Sequence, residues 1–126
     1  MAKGKLIQNG VHLKAHEYKT VKLFLEQGED IELIPPSTIK GVRMPDIVMQ
    51  GVPWEMKSPE GSGKYTLKNA VQNASHQSQN IIIDLRNSPI KEPVALKKLM
   101  HYFNLSRRLK RMIVISKKGE ILDYSK

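Results

Sequence analysis

One segment of the chain reads Asn80-Ile81-Ile82-Ile83-Asp84-Leu85, a largely β-branched run with little polar interruption. Successive side chains of a strand point to opposite faces, so such a run predicts a strand that is buried on both faces. Strands of this kind are typical of the centre of a sheet that carries helices on both sides. Asp84 lies near the end of the run, and we expect its carboxylate to cap the turn at Asn87.

Helical and strand patterns alternate on both sides of this segment. The apolar spacing predicts helices over residues 13–27, over residues 65–77 and after Pro93. Tyr18, Val21 and Leu25 are expected to form the buried stripe of the first helix, and Val94 belongs to the apolar set of the third. Strands are predicted at residues 31–34, 46–50, 54–58, 112–116 and 120–124. Helices interleaved with strands favour an α/β fold with a mixed sheet flanked by helices, and the length favours a single domain over residues 1–126.

Positive charge is abundant and unevenly distributed. The formal net charge of the 126 residues is +9, and residues 93–119 contain no Asp or Glu. An excess of this sign favours polyanionic partners, and nucleic acid is the partner that we expect. The candidate nucleic-acid-binding residues are Lys97, Lys98, Arg107, Arg108, Lys110 and Arg111.

Composition also excludes several kinds of protein. The chain contains no cysteine, which excludes disulfides, thiolate metal sites and cysteine nucleophiles. No stretch approaches the roughly 20 apolar residues that span a bilayer, so we expect no membrane insertion. The basic start is not followed by an apolar segment with a cleavage site, so no signal peptide is predicted.

Two of the predicted strands carry a distinctive set of charges. Glu55 and Lys57 are two residues apart on one strand and therefore point to the same face. A hairpin that pairs Val48 with Glu55 puts Asp46 opposite Lys57 and diagonal to Glu55. Side chains lie about 5 Å apart when opposite and about 7–8 Å when diagonal. A shift by one residue would turn Asp46 to the other face, so the convergence depends on this register.

A cation would account for two converging carboxylates. Asp46 and Glu55 repel each other unless positive charge lies between them, and Mg²⁺ or Mn²⁺ prefers such oxygen ligands. A metal there binds a phosphate oxygen and acidifies a water, while Lys57 orients or deprotonates that water or stabilises charge at phosphorus. The residues alone leave a second interpretation open, in which the hairpin is exposed and carries solvated charges with one surface salt bridge.

Glu17 is a further candidate on the first helix. It lies four residues from both Leu13 and Val21, on the apolar side of the helix. A carboxylate there requires a partner, which a metal or Lys57 would provide. The alternative is a boundary position from which the carboxylate reaches solvent.

Taken together, these residues resemble a known nuclease pattern. Pro45-Asp46 followed by Glu55-Met56-Lys57, with Glu17 upstream on a helix, resembles the PD-(D/E)XK nuclease superfamily. Three segments are similar to the C-terminal tRNA-nuclease domain of CdiA-type contact-dependent growth inhibition toxins, and the similarity covers about residues 13–116. They are Arg43-Met44-Pro45-Asp46-Ile47, Trp54-Glu55-Met56-Lys57-Ser58-Pro59, and Asn73-Ala74-Ser75-His76-Gln77 with the strand that follows.

The resemblance implies a fold, a cofactor and roles for the residues. The fold would be restriction-endonuclease-like, and the activity that of a nuclease dependent on Mg²⁺ (or Mn²⁺). Asp46 and Glu55 would ligate the metal together with Glu17 as the helix acid, Lys57 would be the catalytic lysine, and Gln77 would assist at the site. The expected substrate is tRNA ahead of DNA, cut in the cytoplasm after delivery by a larger secreted protein, and the expected partner is an acidic immunity protein.

Three functions therefore compete on the sequence. The first is a tRNA-cleaving toxin, with a DNA endonuclease of a mobile element as the rival within the same chemistry. The second is a basic nucleic-acid-binding module without catalysis. The third is an interaction protein whose basic face meets an acidic partner, which is compatible with the first.

Overall fold

The computed structural model describes residues 2–126, and within them seven strands and three helices form an α/β fold. The elements are β1 (Leu6–Ile7), α1 (Ala15–Glu26), β2 (Ile31–Leu33), β3 (Ile47–Met49), β4 (Val52–Lys57), α2 (Thr66–Ser75), β5 (Asn80–Asp84), α3 (Glu92–Leu105), β6 (Arg111–Ile115) and β7 (Ile121–Ser125). None of these helices combines the length and hydropathy that a membrane-spanning helix requires.

All seven strands belong to one mixed sheet, in the order in which they occur along the chain. The β1–β2, β4–β5 and β5–β6 pairs are parallel, and the other three pairs are antiparallel. The three helices flank this sheet, which confirms the predicted fold class. The two-residue strand β1 was not predicted, because so short a segment has no periodicity to detect.

Strand β5 lies at the centre, and its two faces belong to two separate cores. Ile81 and Ile83 pack with α2 and α3, whereas Ile82 packs with α1 on the other side of the sheet. All three side chains have no solvent exposure. The prediction of a central strand buried on both faces is therefore confirmed.

The hairpin of β3 and β4 has a different register from the predicted one. Val48 pairs with Pro53 rather than with Glu55, a shift of two residues. The reason is the turn: Gln50 and Gly51 both have positive φ angles, 57° and 77°, which is the backbone of a two-residue type I′ turn. Because the shift is an even number of residues, Asp46 stays on the face that was predicted.

Two predicted core positions are solvent-exposed. Tyr18 and Val94 both lie on the outer surface of their helices. In α1 the buried face is set by Thr20, Val21 and Phe24, and Tyr18 is about 100° from the centre of that face around the helix axis. In α3 the neighbouring Ala95 is buried in place of Val94.

A buried polar contact connects α1 to the end of β5. Asp84 accepts a hydrogen bond from Thr20 Oγ1 at 2.7 Å. It also forms an ion pair with Arg86, whose Nη2 lies 2.8 Å from Oδ2 of Asp84. Arg86 also donates its backbone N–H to Asp84 Oδ1 and a guanidinium hydrogen to the carbonyl of Lys19. The carboxylate thus caps Arg86, not Asn87 as predicted. Burial raises the pKa of Asp84, but these hydrogen bonds outweigh burial and hold the pKa below its ordinary value.

This contact makes a testable contribution to stability. Substitution Arg86→Ala leaves the buried Asp84 carboxylate without its cation, so we expect the free energy of unfolding at pH 7 to fall by about 3–5 kcal/mol. Urea denaturation measures it. The difference from wild type should shrink in acid, since a carboxylate with a lowered pKa loses its contribution as the pH falls through that pKa.

The matched control is Lys22→Ala, which removes an exposed ion pair between Lys22 and Glu26 on α1. Such a pair contributes no more than about 1 kcal/mol. Equal losses for the two variants would contradict the role assigned to Arg86.

Candidate active site

Glu55 and Lys57 lie side by side on β4. Strand alternation turns both away from Trp54, which is buried in the α1-side core. Glu55 is only 4% exposed, and its Oε2 lies 3.4 Å from the Nζ of the half-buried Lys57. Strand alternation predicts that these two side chains share a face, and the structure brings them together. The alternative of an exposed hairpin with solvated charges is wrong for Glu55.

Asp46 joins them from the chain segment just before β3. Its backbone N–H donates to the carbonyl of Trp54 at 3.0 Å, and its Oδ2 accepts from the backbone N–H of Met56 at 2.8 Å. The side chain therefore takes the place of a backbone acceptor at the end of the hairpin. Continuing the register of β3 and β4 puts Asp46 opposite Glu55, which corrects the predicted position opposite Lys57.

Gln77 approaches from the opposite side, just beyond the end of α2. Its Nε2 donates to Glu55 Oε2 at 2.8 Å. Its backbone N–H donates to the carbonyl of Ala74, which continues the last turn of the helix and holds the residue in place. The structure therefore brings Gln77 into direct contact with the central carboxylate.

Glu17 lies at the edge of the cluster. It lines one cleft together with Asp46 and Gln77. Its Oε1 accepts the backbone N–H of Lys14 at 2.9 Å, so the carboxylate also caps its own helix. Its negative charge contributes to raising the pKa of Asp46. Glu17 is thus near the carboxylate pair and lines the same cleft as Asp46.

The proximity of the two central carboxyl groups, those of Asp46 and Glu55, is electrostatically unfavourable. The two groups lie opposite each other in the hairpin register, and each affects the pKa of the other. Burial, followed by the charge of Asp46, raises the pKa of Glu55 to about 8, and Lys57 only partly opposes this. Burial also raises the pKa of Asp46. Among the residues described, Glu55 Oε1 is the one buried side-chain oxygen or nitrogen without a hydrogen-bond partner.

These features fit a divalent cation held by two protein carboxylates. A buried oxygen without a donor, beside a second carboxylate, has the chemistry of a cation ligand. Within residues 2–126 no three His, Cys, Asp or Glu side chains are grouped closely enough to hold a metal together. Two carboxylates are nevertheless a usual protein contribution to a Mg²⁺ site, where waters and substrate phosphates complete the shell.

The predicted basic residues are spread over α3 and the segment that follows it. Lys97 and Lys98 lie on α3, whereas Arg107 and Arg108 line a groove between the ends of α2 and α3. Lys110 is exposed, and its backbone N–H donates to the carbonyl of Gln79, two residues beyond Gln77.

Arg111 differs from the other basic residues, because its guanidinium is used within the fold. It stacks on Trp54 with 4.8 Å to the ring centroid. It also bonds to Gln50 at 2.9 Å and to Asp123 at 2.6 Å. These contacts hold the start of β6 against the β3–β4 hairpin.

The loop over residues 35–45 contributes to the site, which was not predicted. Val42, Arg43 and Met44 line the same cleft as Asp46 and Glu17. A signal was present: residues 33–45 contain two cations and no acid, directly before Asp46.

The fold and the site together define an α/β domain in which two carboxyl groups and a lysine meet on one hairpin of a mixed sheet. The family model described as "Contact-dependent growth inhibition CdiA C-terminal domain" matches residues 43–121, and the chain belongs to this family. The matched residues include Asp46, Glu55, Lys57 and Gln77.

A solved structure shares the fold. It is described as "CdiA-CT/CdiI toxin and immunity complex from Burkholderia pseudomallei". The similarity has a TM-score of 0.70 at 19% sequence identity, and it covers 98% of this chain and 100% of that one. No curated protein sequence matches the chain.

The raised pKa of Glu55 predicts how stability depends on pH. In a metal-free buffer the folded protein keeps a proton on Glu55 up to about pH 8, whereas the unfolded chain releases it near pH 4.5. The free energy of unfolding should therefore fall as the pH rises between these values. Glu55→Gln cannot ionise, so we expect it to flatten this slope and to be a few kcal/mol more stable than wild type above pH 8.

Denaturation curves from pH 5 to pH 9 in the presence of a chelator measure this effect. Glu60→Gln, an exposed acid in the loop after β4, is the matched control and should keep the wild-type slope. A Glu55→Gln variant with an unchanged slope would show that Glu55 is ionised across this range.

Proposed function

We propose that this chain is a metal-dependent nuclease of the PD-(D/E)XK type, acting as the toxin domain of a contact-dependent growth inhibition system. The observation that carries the proposal is the buried Glu55 carboxylate. It contacts Lys57 and Gln77 through Oε2, lies beside Asp46, and leaves Oε1 without a partner. Burying a carboxylate whose oxygen has no partner is unfavourable for folding, and sites that contain such a group are commonly functional.

Asp46 and Glu55 are the residues that would hold Mg²⁺ or Mn²⁺. When bound, such a cation supplies charge that neutralises a phosphate oxygen and acidifies a water. Glu17 lines the same cleft as Asp46 and adds negative charge that favours a cation near that carboxylate. Met56 contributes through its backbone N–H, which holds Oδ2 of Asp46 in position.

Lys57 and Gln77 have separate roles. The Lys57 ammonium is partly exposed, so it can reach a substrate phosphate while remaining 3.4 Å from Glu55. It orients the attacking water and stabilises the negative charge that develops at phosphorus. Gln77 fixes Oε2 of Glu55 through its amide, while the buried Oε1 stays free of a hydrogen-bond donor. Gln77 is therefore a positioning residue.

Nucleic acid is the substrate that the charge favours. The net charge of +9 attracts a polyanion, and exposed cations follow α3 and line the groove beside it. The sequence resemblance favours tRNA ahead of DNA, with cleavage in the cytoplasm of a cell to which the domain is delivered, and the matched family supports the role of a growth-inhibition toxin. The similar solved structure is a toxin and immunity complex, which supports an immunity protein as a partner for this chain, and the net charge of +9 favours an acidic one.

The nuclease proposal predicts cleavage that requires a divalent cation. Total tRNA and plasmid DNA, each incubated with and without Mg²⁺ or Mn²⁺, should show loss of tRNA with the cation and protection by a chelator. Asp46→Asn, Glu55→Gln and Lys57→Met should each lower the rate by about a hundredfold or more. The first two variants each remove a metal ligand, and the third removes the ammonium group of the catalytic lysine.

Glu60→Gln is the matched control for this experiment, and it should cleave like wild type. Degradation of the plasmid alone would identify a DNA endonuclease. Cleavage that persists in chelator and in all three variants would show that the site is elsewhere. Salt-sensitive binding without any cleavage would identify a non-catalytic binding module.

Binding to tRNA should depend on the groove arginines. The double variant Arg107→Gln/Arg108→Gln removes two phosphate contacts, so the slope of log K against log salt should become shallower by about 1.4 to 1.8. Fluorescence anisotropy in chelator measures affinity without cleavage.

Lys19→Gln/Lys22→Gln provides a matched loss of charge on α1, across the sheet from the groove. It should change the slope much less. Equal effects of the two pairs would indicate binding by net charge alone.

A further inference from the structure

The loop over residues 35–45, between β2 and β3, exposes large apolar side chains beside the carboxylate pair. Ile39 is 67% exposed, Val42 48% and Met44 41%. Three of the eight exposed large apolar side chains among residues 2–126 thus fall within six positions. Such a concentration on a polycationic domain marks a contact surface rather than scattered exposure.

Local hydrogen bonds hold this loop in shape. The hydroxyl of Ser37 accepts the backbone N–H of Ile39 at 3.0 Å, and the carbonyl of Ile39 accepts that of Val42 at 3.2 Å. Gly41 has a φ of +82°, a left-handed conformation that glycine adopts readily and that lets the chain turn just before Val42. The apolar side chains are therefore presented by a defined turn.

The cleft that these side chains line combines two kinds of residue. Its apolar lining includes Val42, Met44, Val11, Leu13, Ile34 and Pro36. Its polar and charged lining consists of Asp46, Glu17, Gln77, Ser37 and Arg43. The volume is about 330 Å³, at the lower end of the range for small-ligand pockets.

The volume of the cleft and its combination of apolar and polar residues match one nucleotide. A phosphate gains nothing from an apolar wall, whereas a nucleobase has apolar faces that pack on such side chains and a polar edge that needs hydrogen-bonding groups. Gln77 and Glu17 line the same cleft as the apolar side chains and offer hydrogen-bonding groups. Arg43 supplies a cation for the adjoining phosphate.

We propose that this cleft is a nucleobase subsite, which takes the unstacked base of a nucleotide next to the scissile phosphate. The proposal rests on the nuclease function in that the scissile bond lies at Asp46 and Glu55. A base that is paired in a duplex cannot enter the cleft, so the subsite selects unpaired nucleotides in loops or at strand ends. Val42 and Met44 determine this selectivity.

The test compares two RNA probes with the full chain. A labelled single-stranded RNA and the same RNA paired into a duplex are titrated by fluorescence anisotropy, in chelator and at one salt concentration. Val42→Ser/Met44→Ser should weaken binding of the single strand about tenfold and leave duplex binding unchanged, because stacking is lost while charge is kept. Both positions are well exposed, so an unchanged melting temperature should confirm that the variant is folded.

Ile39→Ser is the matched control, since Ile39 is exposed on the same loop but does not line the cleft. It should bind both probes like wild type. Equal weakening of the two probes by the double variant, or no weakening, would overturn the subsite. Unchanged RNA binding together with weaker binding of an immunity protein would identify the cleft as a protein-docking surface and would also overturn it.

Cleavage assays separate this proposal from the nuclease function. If no cation supports cleavage but the single-strand-specific loss is found, the nuclease function fails and the base subsite stands. If Asp46, Glu55 and Lys57 are required for cleavage but the double variant still distinguishes the two probes as wild type does, the nuclease function stands and the subsite fails.

Discussion

The burial of β5 on both faces is the constraint on which the rest of the molecule depends. Its isoleucines contact α2 and α3 on one face and α1 on the other, so this strand holds the two helical layers together. Parallel pairing with β4 aligns Glu55 with Ile81. That alignment puts a carboxylate where the surrounding residues are apolar, and it puts Gln77, four residues before Ile81, within reach of it.

Two buried acids of equal exposure show what the environment does to a carboxylate. Glu55 and Asp84 are each 4% exposed. Asp84 is surrounded by donors from Thr20 and Arg86, and its pKa is lowered. Glu55 lies beside another carboxyl group and has an oxygen without a donor, and its pKa is raised. The first arrangement stabilises the fold, whereas the second is unfavourable until a cation or a proton is present.

The surroundings of the carboxylate pair suit a polyanion that has apolar bases. Lys57 and Gln77 contact Glu55 directly, and Arg43 lines the cleft from the loop over residues 35–45. The apolar side chains of that loop are separate from the basic side chains along α3. Charge along the helix attracts any nucleic acid, while an apolar cleft distinguishes among nucleotides by their stacking and pairing.

Local patterns in the sequence were sufficient for the central strand, for the three helices, and for the shared face of Glu55 and Lys57. Each of these follows from a period of 2 or 3.6 residues, which the chain carries whatever it packs against. The role expected for Gln77 came from the family resemblance rather than from any period. Only the tertiary structure decided the register that puts Asp46 opposite Glu55, because it depends on positive φ angles at Gln50 as well as Gly51. It also decided that Arg111 packs on Trp54, and that the loop over residues 35–45 lines one cleft together with Glu17 and Gln77. These are contacts between segments distant in the chain, and no local pattern encodes them.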